Sequence, residues 1–81
     1  MNTRDCVVKI DTLEKINKFI NTATNFESSI DIICGNRIVD AESVMGIMGL
    51  DISKPLIARI NSNNDTEIKK FKETMEEFGE N

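Results

Sequence analysis

The sequence predicts an α+β fold of the open-faced sandwich type, in which three helices cover one face of a four-stranded antiparallel sheet. Three observations predict it. Short segments of alternating apolar residues are interspersed with segments in which apolar residues recur every three or four positions. A Gly-Asn dipeptide joins two alternating segments, as in a β-hairpin. The 81 residues, 40% of them hydrophobic, fit one domain over residues 1–81. The expected order is β-α-β-β-α-β-α.

The first strand is predicted over residues 6–10, which are rich in β-branched side chains. Its inward side chains would be Cys6, Val8 and Ile10. A helix follows, with Asp11 or Thr12 as its N-cap. Asp11 is better placed, because Glu14 lies three residues further on and would complete a capping box. Asn25 would end this helix, and the residues at core spacing are Ile16, Phe19, Ile20 and Ala23.

A hairpin is predicted next, formed by residues 29–34 and 37–41 around the turn at Gly35 and Asn36. Alternation gives the second strand an inward set of Ile30, Ile32 and Cys34. Residues 43–50 form a short apolar helix with two interior glycines, each costing about 1 kcal/mol relative to alanine. Tertiary contacts must therefore hold this helix in place.

The fourth strand is predicted over residues 56–61, after Pro55, which can begin a strand but cannot donate to a ladder. Its inward residues would be Leu56, Ala58 and Ile60. A polar loop then leads to the last helix, capped by Asp65 or Thr66 and followed by Gly79. Its apolar residues at helical spacing are Ile68, Phe71, Met75 and Phe78.

The charge balance argues against anionic partners. Fourteen acidic and ten basic residues give a net charge of −4, which disfavours phosphate backbones and anionic lipid. No apolar run approaches the ~20 residues needed to span a bilayer, and residues 2–5 are polar rather than the core of a signal peptide. We expect a soluble cytoplasmic protein that binds neither nucleic acid nor membranes.

The residue types for common catalytic chemistry are missing. The sequence has no histidine, no glycine-rich phosphate loop and no metal-binding motif. Cys6 and Cys34 lack the CxxC spacing of a metal or redox pair and fall within apolar strand segments, which favours buried free thiols. We therefore predict that the protein is not an enzyme and binds neither a metal nor a cofactor.

Residues 42–50, ESVMGIMGL, carry a specific resemblance. They resemble the regulatory-serine region of HPr, the histidine phosphocarrier family of the bacterial sugar phosphotransferase system. In Gram-positive members, a serine starts a short helix with an aliphatic-Met-Gly-aliphatic-Met run, and residues 43–48 match it in register. The likeness extends over residues 37–60, over core positions of the first helix and over residues 73–75. The family's order of elements is the one predicted above.

The departure from the family lies at the start of the first helix. The resemblance places Thr12 at the position of the phosphocarrier histidine, Glu14 at that of an arginine and Lys15 at that of a proline, in a shorter loop. A carrier needs a ring nitrogen that forms a labile P–N bond, whereas threonine would form a stable phosphate ester. Glu14 would also repel a phosphate that arginine attracts. We therefore expect no phosphocarrier activity.

The remaining functional prediction concerns protein docking. Ser43 is the candidate phosphorylation site, for an HPr kinase, with a plain N-cap as the alternative. Glu42 replaces a residue that is commonly basic in the family and would repel that phosphate. The residues expected to bind partners are Val44, Met45, Ile47 and Met48, of which at most half can face outward, with Thr12 and Glu14. The resemblance implies PTS proteins or a transcriptional regulator as partners.

A rival prediction concerns the other face of the sheet. If the inward sets are right, Val7, Ile33 and Ile57 lie on the open face. In the order that the resemblance implies, the first, fourth and second strands are neighbours, so these residues would form a continuous apolar stripe. The protein would then be a structural or dimerising module without a phosphorylation role. Scattered exposed apolar residues are the alternative.

Overall fold

Four strands pair into one antiparallel sheet in the computed structural model, which describes residues 3–79. The strands are β1 (Asp5–Val8), β2 (Ile30–Cys34), β3 (Arg37–Asp40) and β4 (Leu56–Ile60). The helices are α1 (Leu13–Ala23), α2 (Val44–Met48) and α3 (Asp65–Met75), which continues into a 3₁₀ turn, Glu76–Phe78. The predicted class and the order β-α-β-β-α-β-α are confirmed.

The spatial order of the strands is β1-β4-β2-β3, so the first, fourth and second strands are neighbours as expected. The hairpin between β2 and β3 turns at Gly35, whose φ of 61° lies in the left-handed region that glycine adopts without a steric cost. Because the strands pair in register, Ala58 lies between Cys6 and Ile32 on the helix-covered face.

The core lies between this face and the helices. The inward strand residues and the helix stripes predicted from periodicity meet here, with Cys6, Ile20 and Cys34 partly buried at its margin. Phe19 packs edge-to-face on Phe78 at 5.3 Å between ring centroids, which joins α1 to the end of α3. The buried apolar residues are Val8, Ile10, Ile16, Phe19, Ala23, Phe26, Ile30, Ile32, Ala41, Ile47, Leu50, Leu56, Ala58, Ile60, Ile68, Phe71, Met75 and Phe78.

The predicted N-caps of the two long helices need correction. Thr12, not Asp11, caps α1: its Oγ1 accepts a hydrogen bond from Lys15 N at 3.1 Å, while Asp11 accepts one from Lys15 Nζ. Asn64, rather than Asp65 or Thr66, caps α3 by accepting from Glu67 N at 3.0 Å. In both cases several capping residue types stand next to one another, and the backbone geometry selects one of them.

Element ends also shift slightly. The ladder of β1 stops at Val8, because Lys9 N donates to the carbonyl of Phe78 instead of to β4. Ile10 is still fully buried. Helix α1 ends at Ala23 with Thr24 as its C-cap, one residue before the predicted stop at Asn25.

A carboxylate ties the start of α3 to the loop after α1. Glu67 accepts hydrogen bonds from Ser28 N at 3.0 Å and from Ser28 Oγ at 2.6 Å. Hydrogen bonds from the Ser28 and Ser62 hydroxyls and from the backbone lower the pKa of Glu67 to about 2. Glu67 therefore stays ionised well below neutral pH. Within the described residues, no helix has the length and apolar content to cross a membrane.

Candidate functional site

Helices α1 and α2, whose first residues include the candidate site residues, begin with the same kind of N-cap hydrogen bond. At α1 the Thr12 hydroxyl accepts from Lys15 N at 3.1 Å, and at α2 the Ser43 hydroxyl accepts from Gly46 N at the same distance. Both cap residues have extended backbones before the helix begins. Thr12 is exposed and Ser43 is half-buried. Each hydroxyl is therefore engaged in satisfying a first-turn N–H group.

Gly46 makes room for the Ser43 cap. A Cβ built at this position would lie 2.9 Å from Ser43 Oγ and 3.3 Å from Val39 Cβ. Contacts that short require the hydroxyl or β3 to move. The glycine that lowers the helix propensity of α2 thus allows its cap to form.

The side chains of α2 divide unequally between surface and core. Val44, Met45 and Met48 are 38%, 87% and 52% exposed, whereas Ile47 is fully buried. Three of the four partner-binding residues predicted in α2 therefore face outward, more than the half expected. Ile47 was expected to bind partners, but it has no exposed surface and anchors α2 to the core. The reason is that only one side of so short a helix can reach the sheet.

Leu13 is an exposed apolar residue that the sequence prediction missed. It is the first residue of α1, next to Thr12, and is 54% exposed. Spacing alone would place it in the core, because it lies three residues before the buried Ile16. Its position beside Thr12 was the only available signal. Helices α1 and α2 contact each other, and we call Leu13, Val44, Met45 and Met48 together the α1–α2 patch.

The charges at the start of α1 are mostly paired. Lys15 Nζ lies 3.1 Å from Asp11 Oδ1, and Lys18 Nζ lies 3.4 Å from Glu77 Oε2. The hydrogen bond from Lys15 lowers the pKa of Asp11, with Lys9 adding a small effect. Glu14 is exposed and shares a shallow pocket of about 230 Å³ with these lysines. Among residues 3–79, no arginine lines this pocket or hydrogen-bonds to Thr12, and the sequence has no histidine; Thr12 supplies an alcohol, and Glu14 supplies a carboxylate two residues further on.

The open face of the sheet carries a four-residue apolar row. Val7 pairs with Ile57, Ile57 with Ile33, and Ile33 with Ile38. The predicted stripe of three residues thus extends to β3, where Ile38 is 61% exposed.

A polar row runs beside this apolar row. Arg59 donates to both carboxylate oxygens of Asp5 at 2.7 and 2.9 Å, and it also lies opposite Asp31. Asp31 pairs with Asp40 on β3. The hydrogen bonds from Arg59 lower the pKa of Asp5.

The two cysteines are far apart in the sequence and lie in different strands. Both Cys6 and Cys34 are free thiols, as predicted. They are half-buried, whereas the prediction was that they would be buried. Burial raises the pKa of the Cys6 thiol. Its thiolate is therefore disfavoured.

Comparison with known proteins relates the chain to phosphocarriers. The family model described as "PTS HPr component phosphorylation site" matches residues 14–78. The match includes Ser43 and α2 and begins two residues after Thr12. The chain is also similar to a crystal structure of HPr-C-His from Thermoanaerobacter tengcongensis, with a TM-score of 0.69 and 27% identity over 95% of this chain and 97% of that one. No curated protein matches the chain.

Proposed function

Because the chain belongs to the HPr family of the phosphoenolpyruvate-dependent sugar phosphotransferase system (PTS), we propose that it is a regulatory or adaptor member that docks onto other proteins without carrying phosphate. The observation that carries this proposal is the start of α1. There, Thr12 caps the helix in a chain that contains no histidine.

The chemistry at Thr12 opposes phosphoryl transfer. A carrier holds the phosphoryl group on a ring nitrogen, from which it leaves readily. A phosphothreonine at this position would be an ester, and it would give up the cap hydrogen bond to Lys15 N. Glu14, two residues further on, would repel the phosphate.

The surface proposed for docking is the α1–α2 patch, with Thr12 and Glu14 beside it. Met45 and Met48 carry much of its exposed apolar area. Methionine side chains are flexible and polarizable, so they adapt to partner surfaces of different shapes. Proteins of the HPr family interact with other PTS proteins. The proposed partners are a PTS protein or a transcriptional regulator.

Ser43 is the proposed control point. Phosphorylation would place a dianion at the start of α2, immediately before Val44 and Met45 of the patch. It would also end the present role of the hydroxyl as acceptor from Gly46 N. Glu42 opposes the modification by repulsion. The alternative role of Ser43 is that of an N-cap alone.

The absence of carrier activity is tested by incubating the protein with the general PTS phosphodonor enzyme and labelled phosphoenolpyruvate. We expect no label on this chain, while a histidine-containing HPr in the same assay becomes labelled. Transfer to this chain and onward to a sugar-specific acceptor would contradict the proposal.

The switch is tested by incubation with an HPr kinase and ATP, followed by intact mass measurement. We expect one phosphoryl adduct that disappears in Ser43→Ala and persists in Ser53→Ala, which removes another exposed serine. An adduct that survives Ser43→Ala would eliminate the proposed switch. Absence of any adduct would leave Ser43 as a plain cap and docking without regulation.

A second candidate function is a dimerising module, favoured by the in-register apolar row of the open face. The row extends over all four strands from Val7 to Ile38. Sedimentation at several concentrations tests it: a dimer that Ile38→Lys abolishes and Met45→Lys leaves intact would support this function. A monomer at every concentration would exclude it.

A further inference from the structure

We propose that the partner of the α1–α2 patch has an apolar contact surface with lysine or arginine residues at its rim. This inference rests on the proposed docking function and adds the charge of the partner. Its basis is the set of carboxylates that flank the patch and remain unpaired.

Glu14 and Glu42 are neighbours of patch residues in the chain. Glu14 follows Leu13 in the first turn of α1, and Glu42 lies two residues before Val44. Both are exposed. Within residues 3–79, neither carboxylate has a hydrogen bond or an ion-pair partner. Both charges are therefore free to pair with a docked molecule.

Most of the bases near the patch are engaged within the molecule. The exception among residues 3–79 is Lys9, which lines the same pocket as Glu14 and has no ion-pair partner. Lys15 pairs with Asp11 and Lys18 with Glu77. Arg37 Nη1 donates at 2.9 Å to the carbonyl of Gly49, at the end of α2. The charge of Arg37 thus lies where the helix carbonyls are negative and offset it. An acidic partner would have to displace these contacts or pair with Lys9 alone, whereas a basic partner would meet two free carboxylates.

Charge also argues against a second copy of the chain as the occupant. Two copies meeting through the patch would bring the same free carboxylates together, and like charges oppose association. The whole chain carries a net charge of −4, which adds repulsion between copies and attraction to a basic partner. The surface is therefore suited to a different, basic protein.

The test uses two synthetic amphipathic helical peptides that share one leucine face. Lysines flank this face in one peptide and glutamates in the other. Titrations are followed by NMR on the isotopically labelled protein. We expect the lysine peptide to shift the amide signals of Leu13 and residues 44–48 and to bind at least about tenfold more tightly at low salt. The preference should shrink as salt is added.

Charge-removing variants locate the effect. The double variant Glu14→Gln, Glu42→Gln should lose most of the preference for the lysine peptide. Glu27→Gln is the control, because Glu27 is exposed and lies beyond the far end of α1, a helix about 16 Å long. Both carboxylates lie near positive helix ends, so the thermal stability of each variant is measured alongside binding.

The outcomes separate this inference from the docking function. Equal binding of the two peptides at the patch, or tighter binding of the glutamate peptide there, would overturn the inference and leave docking intact. An equal effect of Glu27→Gln, or no binding of the lysine peptide, would also overturn it. A footprint confined to Val7, Ile38 and Ile57 would contradict docking through the patch itself.

Discussion

Helices α1 and α2 begin with the same hydrogen bond, from a first-turn N–H to a hydroxyl 3.1 Å away, yet they are held very differently. Helix α1 has eleven residues, and three of its side chains are buried in the core: Ile16, Phe19 and Ala23. Helix α2 has five residues and one buried side chain, Ile47. Short helices gain little from their own hydrogen bonds. The stability of α2 therefore depends on its cap and its single anchor, and a modification at Ser43 would affect the whole helix.

The chemistry next to the two caps differs as well. After Thr12 come an exposed leucine, a carboxylate and a lysine, and after Ser43 come valine, methionine and glycine. The first set is polar and contains no histidine, whereas the second places a glycine and exposed apolar side chains beside the hydroxyl. The same N-cap hydrogen bond thus stands in two different chemical surroundings.

The largest expected effect comes from the anchor of α2. Ile47→Ala should lower the free energy of unfolding by about 3 kcal/mol, because it removes a fully buried side chain and leaves a cavity. Urea denaturation measures this change in the free energy of unfolding. Val44→Ala on the exposed side is the control and should cost much less. Equal costs would mean that α2 is not held by Ile47.

The next effect tests the space around the Ser43 cap. Gly46→Ala should destabilise the protein by about 1–2 kcal/mol, although alanine favours helices, because its Cβ would be forced against Ser43 Oγ. Gly49→Ala is the matched control, since its nearest neighbour would be 3.4 Å away. Thermal unfolding of both variants measures the difference in their stability. A more stable Gly46→Ala protein would show that the cap is dispensable.

The caps themselves should have smaller and comparable effects on global stability. Thr12→Ala and Ser43→Ala should each cost about 1 kcal/mol, the usual effect of losing an N-cap hydroxyl. Hydrogen exchange should distinguish them. We expect faster exchange throughout α2 in Ser43→Ala but only in the first turn of α1 in Thr12→Ala. Faster exchange confined to the first turn of α2 would remove the contrast between the helices.

The smallest effect distinguishes Asp11 from Thr12 as the cap of α1. Asp11→Asn should cost much less than Thr12→Ala, because Asp11 forms only an exposed pair with Lys15. The pair lowers the pKa of Asp11, so its contribution is present above the ordinary value of 3.8 and is lost as pH falls through the lowered pKa.

Unfolding at neutral and acidic pH measures this contribution. The stability difference between the wild-type protein and Asp11→Asn should disappear at the acidic end. A cost equal to that of Thr12→Ala would restore Asp11 as the cap.

Helix and strand periodicity predicted the elements and most of the core, because alternation and three-to-four spacing are properties of neighbouring residues. The inward sets of β1, β2 and β4 and the stripes of α1 and α3 were right for this reason. The resemblance of residues 42–50 to one family also predicted the order in which β1, β4 and β2 pair. The absence of histidine is likewise a property of the sequence alone.

Tertiary structure decided the details of the candidate site. Spacing could not tell that Ile47 would anchor α2 while Met45 and Met48 stayed exposed, because this depends on how the helix approaches a sheet formed by distant segments. Nor could it place Leu13 at the surface. Tertiary placement also decided that Thr12 and Asn64 are the caps of their helices. It likewise added Ile38 to the apolar row. Each depends on the relative placement of elements, which local periodicity does not encode.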